Sequence, residues 1–161
     1  MKLLKYTARL FVALAVAAAP LTAISADDKK ADEALMGPVK IVLDQYLMIQ
    51  DELAKDSIKG VDEHAGAISK TVKGDDMKML SPDVAKQADT LAKAKDLKAA
   101  REAFKPLSAS LVKYLADNKA GQGTYHVAYC PMAKANWLQT GKAIKNPYMG
   151  KAMLGCGELK N

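Results

Sequence analysis

The sequence predicts an all-α protein: an up-and-down four-helix bundle with an irregular Cys/Met-rich C-terminal tail packed on it. Three observations carry that expectation. Apolar residues recur at helical spacing through four successive segments. The connections between them are short, which favours sequential neighbours in a bundle. Strands alternating with helices are absent, which disfavours a doubly wound fold. The tail stands apart by composition. Gly123 to Glu158 holds both cysteines, one of the two histidines, three methionines, the only tryptophan and three of the six tyrosines.

The first helix starts near Leu35. Val39, Val42, Leu43, Tyr46 and Leu53 form one stripe, with polar Gln50 as its lapse. Pro38 suits the first turn, where a missing N–H costs nothing, and the helix is expected to end near Asp56-Ser57. Ile58, Val61, Ala65, Ile68 and Val72 then step by 3, 4, 3 and 4, a narrow helical seam. Gly60 and Gly66 weaken it by about 1 kcal/mol each if they lie inside, unless they allow close helix packing. Lys73-Gly74-Asp75-Asp76 closes it. Ser81-Pro82-Asp83 combines an N-cap serine, a first-position proline and an acid in the first turn, and Val84, Ala88 and Leu91 follow. Asp96 caps a fourth helix with the stripe Leu97, Ala100, Phe104, Leu107, Leu111 and Leu115, which Pro106 is expected to kink or break. Asn118 to Gly123 ends helical order. Leu43, Tyr46, Ile68, Leu91, Phe104 and Leu111 are the expected core.

The N-terminus reads as a secretory signal peptide over residues 1–26. Lys2, Lys5 and Arg9 precede the apolar run Leu10 to Ala19, and Ile24-Ser25-Ala26 ends in a small residue at the cleavage point. The apolar run is too short to span a bilayer comfortably. No stable membrane insertion is therefore expected after cleavage, and the protein is expected to be periplasmic or secreted. Residues 27–34 are a charged lead-in, and 35–161 a single domain. Removing the three basic residues of the signal peptide leaves 21 basic against 18 acidic side chains. That dispersed excess gives no case for nucleic acid. A phosphate-binding loop, a dinucleotide fingerprint, an HExxH helix and a Gly-x-Ser-x-Gly elbow are all missing.

Thr124 to Met132 has strand-like chemistry. If extended, it aligns His126, Ala128, Cys130 and Met132 on one face, with Pro131 confining it to an edge or a strand end. Asn146-Pro147-Tyr148 and Gly150 read as a turn. Gly155-Cys156-Gly157 reads as a flexible loop that lets the backbone approach the other cysteine. Trp137 is the expected anchor of the tail on the bundle. Two chemistries remain open for the cysteines. A Cys130–Cys156 disulfide suits an oxidising compartment; it closes a loop of about 27 residues, for about 3.5 kcal/mol of chain entropy. A Cys/Met site instead suits Cu(I) or Ag(I), since thiolate and thioether sulfur select soft ions. Met149 reads as packing, Met77 and Met79 as a bland surface pair, and His64 as an ordinary helix residue. Cys130 with His126 suggests a thiol hydrolase, but nothing supplies an orienting third residue. The expectation is that the protein is not an enzyme.

Several runs in the sequence go further: Tyr46-Leu47, Ala100 to Phe104, Tyr129-Cys130-Pro131-Met132-Ala133, Asn136 to Gln139, Ile144 to Gly150, and Met153 to Gly157. In order and chemistry they resemble a bacterial domain family of unknown function. That family occurs as secreted stand-alone proteins and attached to periplasmic adaptor subunits of heavy-metal efflux pumps. A His often directly precedes the family's Cys-Pro-Met run. Here Tyr129 fills that place and His126 lies three residues earlier. The resemblance implies Cys130, Met132, Met153 and Cys156 as metal ligands, with His126 as an offset candidate. It further implies a periplasmic binder that buffers Cu(I) or Ag(I) or delivers it to an efflux pump. The alternative is a metal-free, helical partner-binding module stapled by the disulfide.

Overall fold

The computed structural model describes residues 35–160. The expected signal peptide, residues 1–26, and the charged lead-in, 27–34, lie outside the described residues. Among the described residues four α-helices form: α1 Pro38–Ala54, α2 Val61–Lys73, α3 Pro82–Ala92 and α4 Leu97–Asp117. Pro38 opens α1 as expected, and the helix stops at Ala54, just short of Asp56, whose φ of 61° is incompatible with a continuing helix. The seam of the second segment begins at Ile58, but α2 starts only at Val61. Gly60 takes a left-handed φ of 73° to turn the chain into it. Asp62 and Glu63 lie in the first turn of α2, and Lys70 and Lys73 in the last, each favourable to the helix dipole. Gly66 is exposed with open space beside it, so it does not serve close packing.

The expected caps form. Ser81 Oγ accepts the Asp83 N–H at 3.3 Å and Asp96 Oδ1 accepts the Ala99 N–H at 2.8 Å. Pro106 does not break α4, which runs through it. Pro106 lies on the exposed face, where water can serve the carbonyl one turn back that would otherwise receive an N–H. All six expected core residues are at most 1% exposed.

The expectation of a purely α protein is corrected. The tail contains a three-stranded antiparallel sheet, β1 His126–Cys130, β2 Ala135–Gln139 and β3 Glu158–Lys160, in the order β2-β1-β3. Ala128 pairs with Trp137 and Cys130 with Ala135 across β1–β2, and Tyr129 pairs with Glu158 across β1–β3. Pro131 falls just past the end of β1, where it breaks no ladder bond, and Lys134 at φ 51° completes the hairpin turn. β1 is therefore the central strand, not an edge.

This sheet shares its core with the helices. α4 packs more extensively on β2 than on α1. Tyr46 of α1 stacks on Phe104 of α4 at 4.8 Å between ring centroids. Tyr148 then lies 6.1 Å from Phe104 and, edge-on, 6.0 Å from Trp137. Four aromatic rings thus run from the bundle into the tail, in the offset or tilted geometries such pairs prefer. The Tyr46 hydroxyl lies 2.8 Å from Ser108 and accepts the Leu138 N–H at 3.0 Å, so the buried backbone of β2 is satisfied from α1. Among the described residues, no helix is long and apolar enough to cross a membrane.

Candidate functional site

Antiparallel pairing brings the two cysteines together. Cys130 is the last residue of β1, and the chain returns beside it at Gly157, immediately before β3. Gly157 permits the return. Its φ is 134°, and a side chain there would meet the Tyr129 carbonyl at 2.8 Å and the Trp137 ring at 2.9 Å. The expected close approach of backbone to cysteine thus rests on Gly157, whereas Gly155 stands in open space.

Cys130 is buried and Cys156 half-buried; both are free thiols. Burial pushes the Cys156 thiol above its ordinary value, and the charge of Cys130 and a hydrogen bond with it push the same way. The β1–β3 register thus sets the two cysteines in one neighbourhood. Cys130 Sγ also accepts the Ala133 N–H at 3.3 Å, so the Pro131–Lys134 turn directs a backbone donor at that sulfur.

The remaining candidates divide. Met153 precedes Cys156 by three residues, in the short 3-10 turn Gly150–Met153 whose last carbonyl accepts the Cys156 N–H at 2.9 Å. Its side chain is 41% exposed. Met132 lies in the turn after Cys130 and is 61% exposed. It lines an open cleft of about 530 Å³ against α4, together with Met149, Tyr148, Arg101 and Lys98. Neither thioether is packed into the helical core. His126 is not brought to the cysteines. It begins β1 while Cys130 ends it, about 13 Å away at strand rise. Met77 is exposed and Met79 half-buried at the far end of α2. His64 Nδ1 lies 2.8 Å from Gln45 Oε1, an ordinary helix-surface contact.

Sequence reasoning missed the polar residues that hold this site in place. Asn146 is fully buried. Its Nδ2 donates to the Cys156 carbonyl at 2.6 Å, and its Oδ1 accepts the N–H groups of Tyr148 and Met149 at 2.8 and 3.1 Å. Arg101 donates from Nε to the Pro147 carbonyl at 2.7 Å. It also donates to the Leu53 carbonyl at 3.0 Å and to Asp56 Oδ1 at 2.6 Å. Asp56 Oδ2 accepts the Lys151 N–H at 3.1 Å. Arg101, then the Lys151 amide, hold the Asp56 carboxyl below the usual carboxylate range. Gln139 Oε1 accepts from Trp137 Nε1 at 3.0 Å and from the Lys145 N–H at 3.2 Å. Gln50, the lapse in the α1 stripe, is 4% exposed and donates to the Lys145 carbonyl at 2.6 Å. A polar residue on an apolar stripe was the one available signal for this docking point.

The profile of DUF3347, a family of proteins of unknown function, matches residues 42–123. That is half of the chain, which therefore belongs to this family. The matched stretch covers the helices from within α1 onward and ends before β1, so both cysteines lie beyond it. No curated protein and no solved structure matches the chain.

Proposed function

We propose that this protein is a periplasmic or secreted soft-metal binder. It takes Cu(I) or Ag(I) on Cys130 and Cys156 and buffers the ion or delivers it to a heavy-metal efflux system. The observation that carries the reading is the placement of two free thiols together, Cys130 at the end of β1 and Cys156 just before β3, with Cys130 accepting a backbone N–H. The donor set fits a soft ion. Among the described residues, no three His, Cys, Asp or Glu side chains converge. A four-coordinate zinc site or a carboxylate cage therefore lacks donors. Two thiolates with a neighbouring thioether suit Cu(I). Met153 and Met132, each within three residues of a cysteine and exposed, are the thioethers assigned to this set. The proposal omits His126, which starts β1 where Cys130 ends it. The signal-peptide pattern supports the compartment, and the resemblance to domains attached to efflux adaptors supports the partner. No step of this function is catalytic.

The test is competition for Cu(I) between reduced protein and a chromophoric chelator. The expected result is one ion per chain. Cys130→Ser and Cys156→Ser abolish binding, while Met132→Leu and Met153→Leu weaken it with the helical spectrum unchanged. Reduced, folded protein that takes no Cu(I) from the chelator ends the proposal. Because the Cys156 thiol is pushed up, its proton competes with the metal beyond the ordinary thiol range. Cu(I) affinity is thus expected to rise continuously from pH 6 to pH 9; a flat profile argues against Cys156 as ligand.

A further inference from the structure

We infer that Cys130 and Cys156 also form a reversible disulfide that closes the soft-metal site, so that oxidation and metal binding compete for the same two sulfurs. The inference rests on the metal reading above and adds its regulation. The backbone supports it apart from any metal. The β1–β3 ladder runs through Tyr129–Glu158, so its next step sets Cys130 opposite Gly157 with Cys156 adjoining. Gly157, held against Trp137, and Asn146, bonded to the Cys156 carbonyl, fix this approach from both sides. Cys156 itself precedes β3, and Gly157 at φ 134° interrupts the strand alternation that would otherwise send the two side chains to opposite faces.

The two sulfurs differ in access, and that sets the order of events. Half-buried Cys156 meets the oxidant, and buried Cys130 resolves. The oxidant is a second molecule's disulfide. The Cys156 thiolate, having lost its proton to solvent, attacks one sulfur of that disulfide. A mixed disulfide forms and the other sulfur leaves as a thiolate. Cys130, deprotonated in turn, then attacks Cys156, and the oxidant departs as its dithiol. Two electrons pass from this protein to the oxidant, and two protons are transferred with them through solvent. Neither sulfur then has a thiolate to offer, so Cu(I) is released or refused.

The test uses the whole mature chain in oxidised and reduced glutathione at a series of ratios. Free thiols are counted by alkylation and mass spectrometry, and Cu(I) uptake by the same chelator competition. The expected oxidising-end product has no alkylatable thiol, is monomeric and takes no Cu(I). Reductant restores both thiols and uptake, and Cu(I) bound beforehand slows the loss of thiols at least tenfold. Cys156→Ser keeps its single Cys130 thiol and forms no intramolecular bond. Two thiols persisting in oxidised glutathione overturn the inference and leave the metal reading standing. So does an oxidised form that binds Cu(I) as well as the reduced one. A disulfide that forms while the reduced protein takes no Cu(I) overturns the metal reading and the competition with it.

Discussion

From α4, Arg101 ties together two stretches of chain far apart in sequence: the end of α1 with the loop that follows it, at Leu53 and Asp56, and the carbonyl of Pro147. It is largely buried, at 17% side-chain exposure, so its charge needs these partners. Replacing it with alanine leaves buried carbonyls unmet, and a loss of about 1–3 kcal/mol is expected. The urea midpoint reads this. The same clamp has a pH signature. Asp56 is held below the usual carboxylate range by Arg101. Its contribution is therefore complete above the ordinary carboxylate value, and it fades as pH falls through the lowered one. Urea midpoints of the parent are expected to drop between about pH 4 and pH 2, and Asp56→Asn to flatten part of that fall; equal slopes in both proteins contradict the assignment. Asparagine tolerates the positive φ at this position, so the comparison isolates the charge. Gly150 belongs to the same cluster. A Cβ there would overlap the Asp56 carboxylate and the Arg101 guanidinium, at φ 58°. The residue reads in sequence as a turn glycine and acts in the structure as the floor of an ion pair.

At the scale of elements, the β1–β2 hairpin is held by one large side chain and one hydroxyl. Trp137 is fully buried on β2 with its N–H met by Gln139. Trp137→Ala is expected to cost about 3–5 kcal/mol through the cavity it leaves, and to detach the tail before the helices melt. A near-UV signal lost ahead of the far-UV signal is the readout. Tyr46→Phe is a finer probe. It keeps the ring stack and removes the acceptor of the Leu138 N–H. A cost of about 1–3 kcal/mol is expected in thermal or urea melts, since a buried donor is left unmet. Helix starts were legible because caps are local: Ser81 and Asp96 each bond an N–H two or three residues away. The sheet was not legible as a sheet. Its strands are five, five and three residues long, and β3 joins β1 across an intervening stretch of nearly thirty residues.

For the whole molecule, the shared aromatic run makes bundle and tail a single core. The family match ends at Gly123, yet Tyr46, Phe104 and Leu138 meet across that boundary. A chain ending at Gly123 is accordingly expected to lose cooperative unfolding, because α1 and α4 then present to water the surface that β2 covers. A sharp, parent-like melt from such a truncation contradicts the single-core description.

What the sequence determined by itself is what periodicity and local bonding can encode. Four amphipathic stripes, two side-chain caps, the proline at the first turn of α1 and the identity of the core residues all follow from neighbours within a few positions. The sulfur-rich tail was likewise visible as composition. Tertiary structure alone decided which of its groups meet. The pairing of β1 with β3 returns the chain so that Cys156 comes beside Cys130, while His126, closer to Cys130 in sequence than Cys156 is, lies a strand's length away. Gln50, Arg101 and Asn146 find partners up to 95 residues distant. The physical reason is that a hydrogen bond between remote segments leaves no periodic mark in either. It arises only when the apolar core has brought the two chains together and a buried polar group must be satisfied there.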